Sequence, residues 1–201
     1  MKTTLAVLLL MGLGACGSLL PKPAPPPSFY ALNTAVMAAT AAPAASAPTL
    51  VVNPPQAAAG YDSARIIYVR QPHQLQYFAQ SEWVDTPARM LAPLLVTALQ
   101  MSGAFKAVVS SPSAAAGELR LDTEIVRLQQ EFDAAGGSAV RFSVRATVVD
   151  NQTRKVRGTR EFEARVAGGA DAYAGVVAAN TAVQQVLAQL AAFCAEAAAS
   201  N

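Results

Sequence analysis

Histidine is almost missing: the chain of 201 residues holds one, His73, beside Pro72 in a turn-forming stretch, where it reads as a surface residue rather than a general base. Cysteine is nearly as scarce. With Cys16 and Cys194 as the two thiols and one imidazole, no Cys/His zinc set can be assembled and no Cys-His couple stands at informative spacing. Charge is thin, at 14% of residues, and 15 basic against 13 acidic side chains leave a formal +2. The basic residues are scattered, so the sequence carries no footprint for nucleic acid. No serine sits in a Gly-x-Ser-x-Gly elbow. GGADAYAG at 168–175 lacks the Gly-Lys-Ser/Thr ending of a phosphate loop and reads as a strand-to-helix connection. No catalytic, cofactor-binding or metal residue is therefore assigned. Alanine is the largest single part of the 53% apolar share, and nothing after Ala15 is a long unbroken apolar run.

What the chain does have is concentrated at its start. Met1-Lys2-Thr3-Thr4 precedes LAVLLLMGL, residues 5–13, a charged n-region followed by an h-region. Nine residues at ~1.5 Å each cover about half of the ~30 Å hydrocarbon core, too short for a permanent span. Leu13-Gly14-Ala15-Cys16 resembles the bacterial lipobox, at which a signal peptide is cut before a cysteine whose sulfur carries a diacylglyceryl thioether. Two or three acyl chains on one residue make membrane release negligible, where one chain binds marginally. Gly17 stands where lipoproteins retained in the inner membrane usually have Asp, so outer-membrane sorting is expected. Residues 17–28 hold five prolines and predict a semi-rigid polyproline II stalk, roughly 35 Å long at ~3.1 Å per residue. The expected organisation is a signal peptide over 1–15, an acylated Cys16 with a Pro-rich tether over 16–28, and one folded domain over 29–201. Within it, the Ala-rich stretch 34–48 reads as a low-complexity loop.

Along the domain, FYAL (29–32), TLVVN (49–53) and ARIIYVR (64–70) read as strands, and residues 74–79 return on the last of these as a hairpin. Thr86-Pro87 marks a helix start, Gly103 its stop, and Pro93 is expected to kink it. Residues 118–132, 139–149 and 155–167 form three long strands separated by turn residues, an antiparallel meander. In the first of these Leu119, Leu121 and Ile125 share one face, and Val126, Leu128 and Phe132 fall out of phase with them, which predicts a bulge. Asp171 caps a final helix on which Tyr173, Val176, Asn180, Val183, Leu187, Leu190 and Cys194 make one seam. That helix carries no charge from Ala172 to Ala195, which marks it for the sheet and, in part, for a second copy of the chain. The fold class is α+β: a single domain, a mainly antiparallel sheet with two helices packed against it.

This order of features, with RIIYVRQPHQLQYFAQSEW (residues 65–83) as its most specific segment, resembles the ABC-type transport auxiliary lipoproteins, the PqiC-like family associated with MCE-domain lipid transport. The resemblance implies a non-enzymatic lipoprotein on the periplasmic face of the outer membrane. Its implied partners are an MCE-domain protein and an ABC permease and ATPase, with phospholipid as the cargo class and no cofactor. The alternative is an envelope assembly or structural lipoprotein that binds other envelope proteins or peptidoglycan without lipid traffic. A hydrolase ranks last, since it would require a carboxylate beside His73. One side-chain constellation merits a functional reading: Tyr68, Tyr77, Phe78 and Trp83, with Tyr61 nearby, are candidates for a partner or acyl-chain surface, against the alternative that half or more of them fill the core.

Overall fold

A computed structural model describes residues 26–33, 43–113 and 116–200. Its elements are β1 (Ser28–Tyr30), β2 (Thr49–Val52), β3 (Gln56–Ala57), β4 (Arg65–Val69), β5 (Gln76–Trp83), α1 (Pro87–Met101), β6 (Ala107–Ser110), β7 (Leu119–Phe132), β8 (Ser138–Asp150), β9 (Val156–Gly168) and α2 (Ala172–Ala199). Cys16 and most of the tether lie outside the described residues, as do residues 34–42 of the Ala-rich loop.

The expected meander is present. β7 pairs antiparallel with β8 from Leu119↔Asp150 to Phe132↔Ser138, and β8 pairs antiparallel with β9. The register of β7 slips between Ile125 and Arg127, so the phase change in the sequence is a bulge at Val126. That extra residue returns Leu128 to the same face as Leu121 and Ile125, opposite Phe142 in the core; the expectation that Leu128 changes face is corrected.

The sheet is mixed, which corrects the expectation of a mainly antiparallel one. β2, β3 and β4 run in the same direction along the second edge of β7, at Leu50–Val52, Gln56–Ala57 and Tyr68–Val69, and each pairing is parallel. β6 adds parallel to β2, and β1 adds parallel to β5. Among these shorter strands, the β4–β5 hairpin is antiparallel. Pro54 and Pro55 lack the N–H donors that a ladder needs, so pairing with β7 stops after Val52 and resumes at Gln56. Asn53 holds the gap closed, its backbone N–H donating to the Leu121 carbonyl and its Nδ2 to Asp122 Oδ1 at 2.6 Å.

Both helices pack on one face. On α1, Leu91, Leu95 and Leu99 are buried at 1% exposure or less, against Leu50, Leu119 and Leu121 in the same core. The helix runs through Pro93, which is exposed, as is Arg89 one turn before it, so the proline lies on the solvent side of the helix. Gly103 takes φ 66° just past the end, the left-handed stop that a Cβ would oppose. α2 starts where Asp171 accepts from the Ala174 N–H at 2.8 Å. By length and composition α2 could cross a membrane, but β8 and β9 cover it, and Val183, Leu190 and Cys194 are fully buried. Burial pushes the Cys194 thiol up to about 12, so it stays protonated and inert. Tyr173 departs from the expected seam: it is 64% exposed and meets Tyr30 with ring centroids 6.3 Å apart. Asn180, also placed in that seam, works as a polar tie, accepting from the Asn33 N–H and donating to the Ala31 carbonyl.

One buried polar residue fixes the angle of α2. Gln130 on β7 is 2% exposed and donates from Nε2 to Ser138 Oγ and to the Gly169 carbonyl at 2.9 and 2.8 Å. A Cβ on Gly175 would stand 2.1 Å from Gln130 Oε1, so the helix approaches this side chain only because residue 175 is glycine. Gly175→Ala should lower stability by roughly 1–3 kcal/mol in urea unfolding. Adding Gln130→Ala should recover part of that loss, giving a coupling of about 1 kcal/mol, whereas strict additivity would contradict the contact. A second test uses Asp150, whose carboxylate accepts from the Gln152 and Thr153 N–H groups and pairs with Arg157 at 2.6 Å. Those bonds hold its pKa well below the ordinary carboxylate range. Its stabilisation is complete above the unfolded value of ~3.9 and fades as pH falls below it. Asp150→Asn should therefore melt lower than the parent at pH 7, with the gap narrowing toward pH 3; a gap that holds constant with pH would contradict the assignment.

Candidate functional site

The β4–β5 hairpin carries the aromatic residues singled out in the sequence, and the structure separates them. Trp83, the last residue of β5, is 4% exposed and belongs to the core with Ile66. Its backbone N–H closes on the Ala64 carbonyl at 2.7 Å, so β5 extends four residues beyond the expected return strand. Phe78 is half-buried against the same core. Tyr68 lies between Phe78 and Phe132, with centroids 4.7 and 5.9 Å away, the latter edge-on. Tyr77 points the other way, 39% exposed, with the Arg65 guanidinium 5.0 Å over its ring. Of the four residues, Tyr77 is thus the one that presents a large apolar face to solvent.

The turn of this hairpin stands out from the sheet. His73 is its pivot, exposed and at φ 68°. Leu75, 37% exposed, folds back so that its Cδ1 would lie 3.3 Å from a Cβ on Gly60, itself at φ 92°. Between this turn, the 58–63 loop and the open face of β7–β8–β9 lies a groove of about 570 Å³. Its apolar side includes Val69, Pro72, Leu75 and Phe132, and its polar side Arg70, Arg127, Arg141, Arg165 and Glu131. Tyr61 roofs part of it and donates to Gln129 Oε1; burial raises the Tyr61 pKa, so its hydroxyl remains a donor.

On the open face of the sheet, charged side chains of β7, β8 and β9 pair across strands. Arg141 Nε bonds Glu163 at 2.7 Å, and Arg145 reaches Glu124 at 2.8 Å and Glu161 at 3.2 Å. Within the groove the other ion pairs are slack. Arg141 and Arg165 each stand 3.8 Å from Glu131, and Arg127 is 3.8 Å from Glu163, all beyond hydrogen-bond distance. Arg70 pairs with no carboxylate among the described residues; its guanidinium is 4.7 Å over Phe132 and 5.5 Å over Tyr68. Sequence reasoning missed Arg70, Arg127 and Arg165, because they stand up to 95 positions apart and converge only when the hairpin turn folds over the sheet. Among the described residues no three His, Cys, Asp or Glu side chains gather as a metal set.

Comparison with known proteins gives this fold its relatives. The family model for the "ABC-type transport auxiliary lipoprotein component" matches residues 30–195. Among solved structures, protein XCC0632 from Xanthomonas campestris superposes with a TM-score of 0.75 at 23% identity, over 85% of this chain and 96% of that one. The hypothetical protein CT253 from Chlamydia trachomatis gives a TM-score of 0.53 at 10% identity, over 78% of this chain and 100% of that one. At these identities the likeness is one of fold. No curated protein matches. The family match runs from the last residue of β1 through the aromatic hairpin, α1 and the meander into α2, and on that extent the chain belongs to the ABC-type transport auxiliary lipoprotein components.

Proposed function

We propose that this protein is a non-enzymatic lipoprotein, held on the periplasmic face of the outer membrane by an acylated Cys16, that serves an MCE-linked ABC system moving lipid between the inner and outer membranes. The observation that carries the reading is the family match over residues 30–195, which begins directly after a lipobox-like Leu13-Gly14-Ala15-Cys16 and a proline-rich stalk. In this reading acyl chains supply the address and the folded domain supplies contacts to an MCE-domain protein and to the ABC permease and ATPase.

The join between stalk and domain suits a tethered part. β1 follows the prolines at Ser28 and pairs in parallel with β5, and the residues just after it, Ala31 and Asn33, are tied to Asn180 on α2. A load applied through the stalk is thereby spread into the sheet and the longest helix rather than onto a loop. The exposed Tyr173 and Val177 on α2 beside this join are the surface through which a second copy would associate.

Deleting the gene should raise sensitivity to detergent, and the wild-type gene should restore resistance. Cys16→Ser made at equal level should not restore it, and cross-linking in cells should join the wild-type protein to the MCE and permease subunits. Full rescue by Cys16→Ser, or an unaltered envelope in the deletion strain, would contradict the proposal. Capture of peptidoglycan in place of transport subunits would favour the envelope-assembly alternative.

A further inference from the structure

We infer that the groove beneath the β4–β5 turn binds a single phosphodiester group borne by an amphiphile. Arg70 supplies the first reason. A guanidinium stacked over Phe132 and Tyr68, with no carboxylate partner among the described residues, has its orientation fixed by the rings while its five N–H donors stay unspent on acids. Arg165 supplies the second. Its side chain is 64% exposed and reaches Glu131 only at 3.8 Å, so its planar fork is held by charge alone and is free to take two oxygens of a phosphate.

The local charge sets the size of the anion. Arg70, Arg127, Arg141 and Arg165 face Glu131, Glu163 and Asp133, a surplus of about one positive charge. Asp133 spends its Oδ1 on the Ala135 and Gly137 N–H groups, and Glu163 is committed to Arg141, which that bond keeps firmly charged. Such a site suits a monoanion and rejects a polyanion. Glu131 accepts from Gln129 Nε2 on its Oε1 at 2.8 Å, while its Oε2, with Arg165 at 3.8 Å, remains able to accept a donor on the same ligand, such as an ammonium or hydroxyl beyond the phosphate.

The opposite wall is apolar. Pro72 and Leu75 border the groove and open to solvent, so carbons attached to the phosphate leave water along them. A volume of about 570 Å³ accommodates a headgroup with its glycerol and the first acyl carbons, not two whole acyl chains. The inference deepens the transport reading by naming what this chain would touch. It is tested by binding in vitro, whereas the address is tested in cells, so the two can fail separately.

The test uses the mature acylated protein in neutral detergent micelles, titrated calorimetrically with dihexanoyl-phosphatidylethanolamine and, separately, with inorganic phosphate. Saturable binding of the short-chain lipid is expected. Arg70→Gln and Arg165→Gln should each weaken it at least tenfold, while Arg120→Gln, outside the groove, should leave it unchanged and all three variants should keep the parent melting temperature. Equal binding of inorganic phosphate with the same arginine dependence would support the phosphate site and assign it to the free ion instead of the amphiphile. Absence of binding by both probes, or binding that the two groove variants do not weaken, would overturn the inference.

Discussion

Everything in this fold hangs on the backbone pairing of β7 along both of its edges. Fourteen residues long, it gives one edge to β8 over its whole length and divides the other among β2, β3 and β4. The three short partners hold two to five residues each, and such strands have little stability by themselves. They persist because β7 supplies their carbonyls and N–H groups in the order in which the chain presents them. The bulge at Val126 is part of that arrangement, since it keeps Leu128 on the helix-covered side after Ile125 and lets Gln130 reach the start of α2.

The covered and open faces of the sheet then have different work. The covered face is filled by leucine, valine and phenylalanine from β7 and β8 against α1 and α2, and it holds the one free thiol of the described residues, buried and inert. The open face is a lattice of arginine and carboxylate pairs, each contributing modestly at its exposure. Where the β4–β5 turn overhangs that lattice the pairs loosen, and the surface becomes a groove with an apolar wall and a cationic one. Such a surface is suited to contact, in keeping with an auxiliary component of a transport system.

The sequence made the meander, its bulge and both helix boundaries readable, because period-two alternation, a phase slip, Asp171 and Gly103 each act within a few residues of themselves. Strand direction was not readable. Side chains alternate identically in parallel and antiparallel strands, so TLVV and RIIYV do not disclose that they run alongside β7 rather than against their neighbours. β3 is two residues long and leaves no periodic trace. Tyr173 keeps the spacing of the helical seam yet is exposed, because it lies in the first turn of α2 and meets Tyr30 rather than the buried core. The aromatic group was found as a set of residues but not as a surface, since facing depends on the hairpin register that buries Trp83 and exposes Tyr77. The groove arginines belong to four different strands or strand ends, and no local pattern joins them.

In the proposed function a contact domain hangs from a lipid-modified N-terminus, and the chemistry of that terminus is the most direct test. Mass spectrometry of the N-terminal peptide of protein isolated from membranes should find a chain that begins at Cys16 and carries a diacylglyceryl group on its sulfur. A chain that begins elsewhere, or a Cys16 with an unmodified thiol, would contradict it.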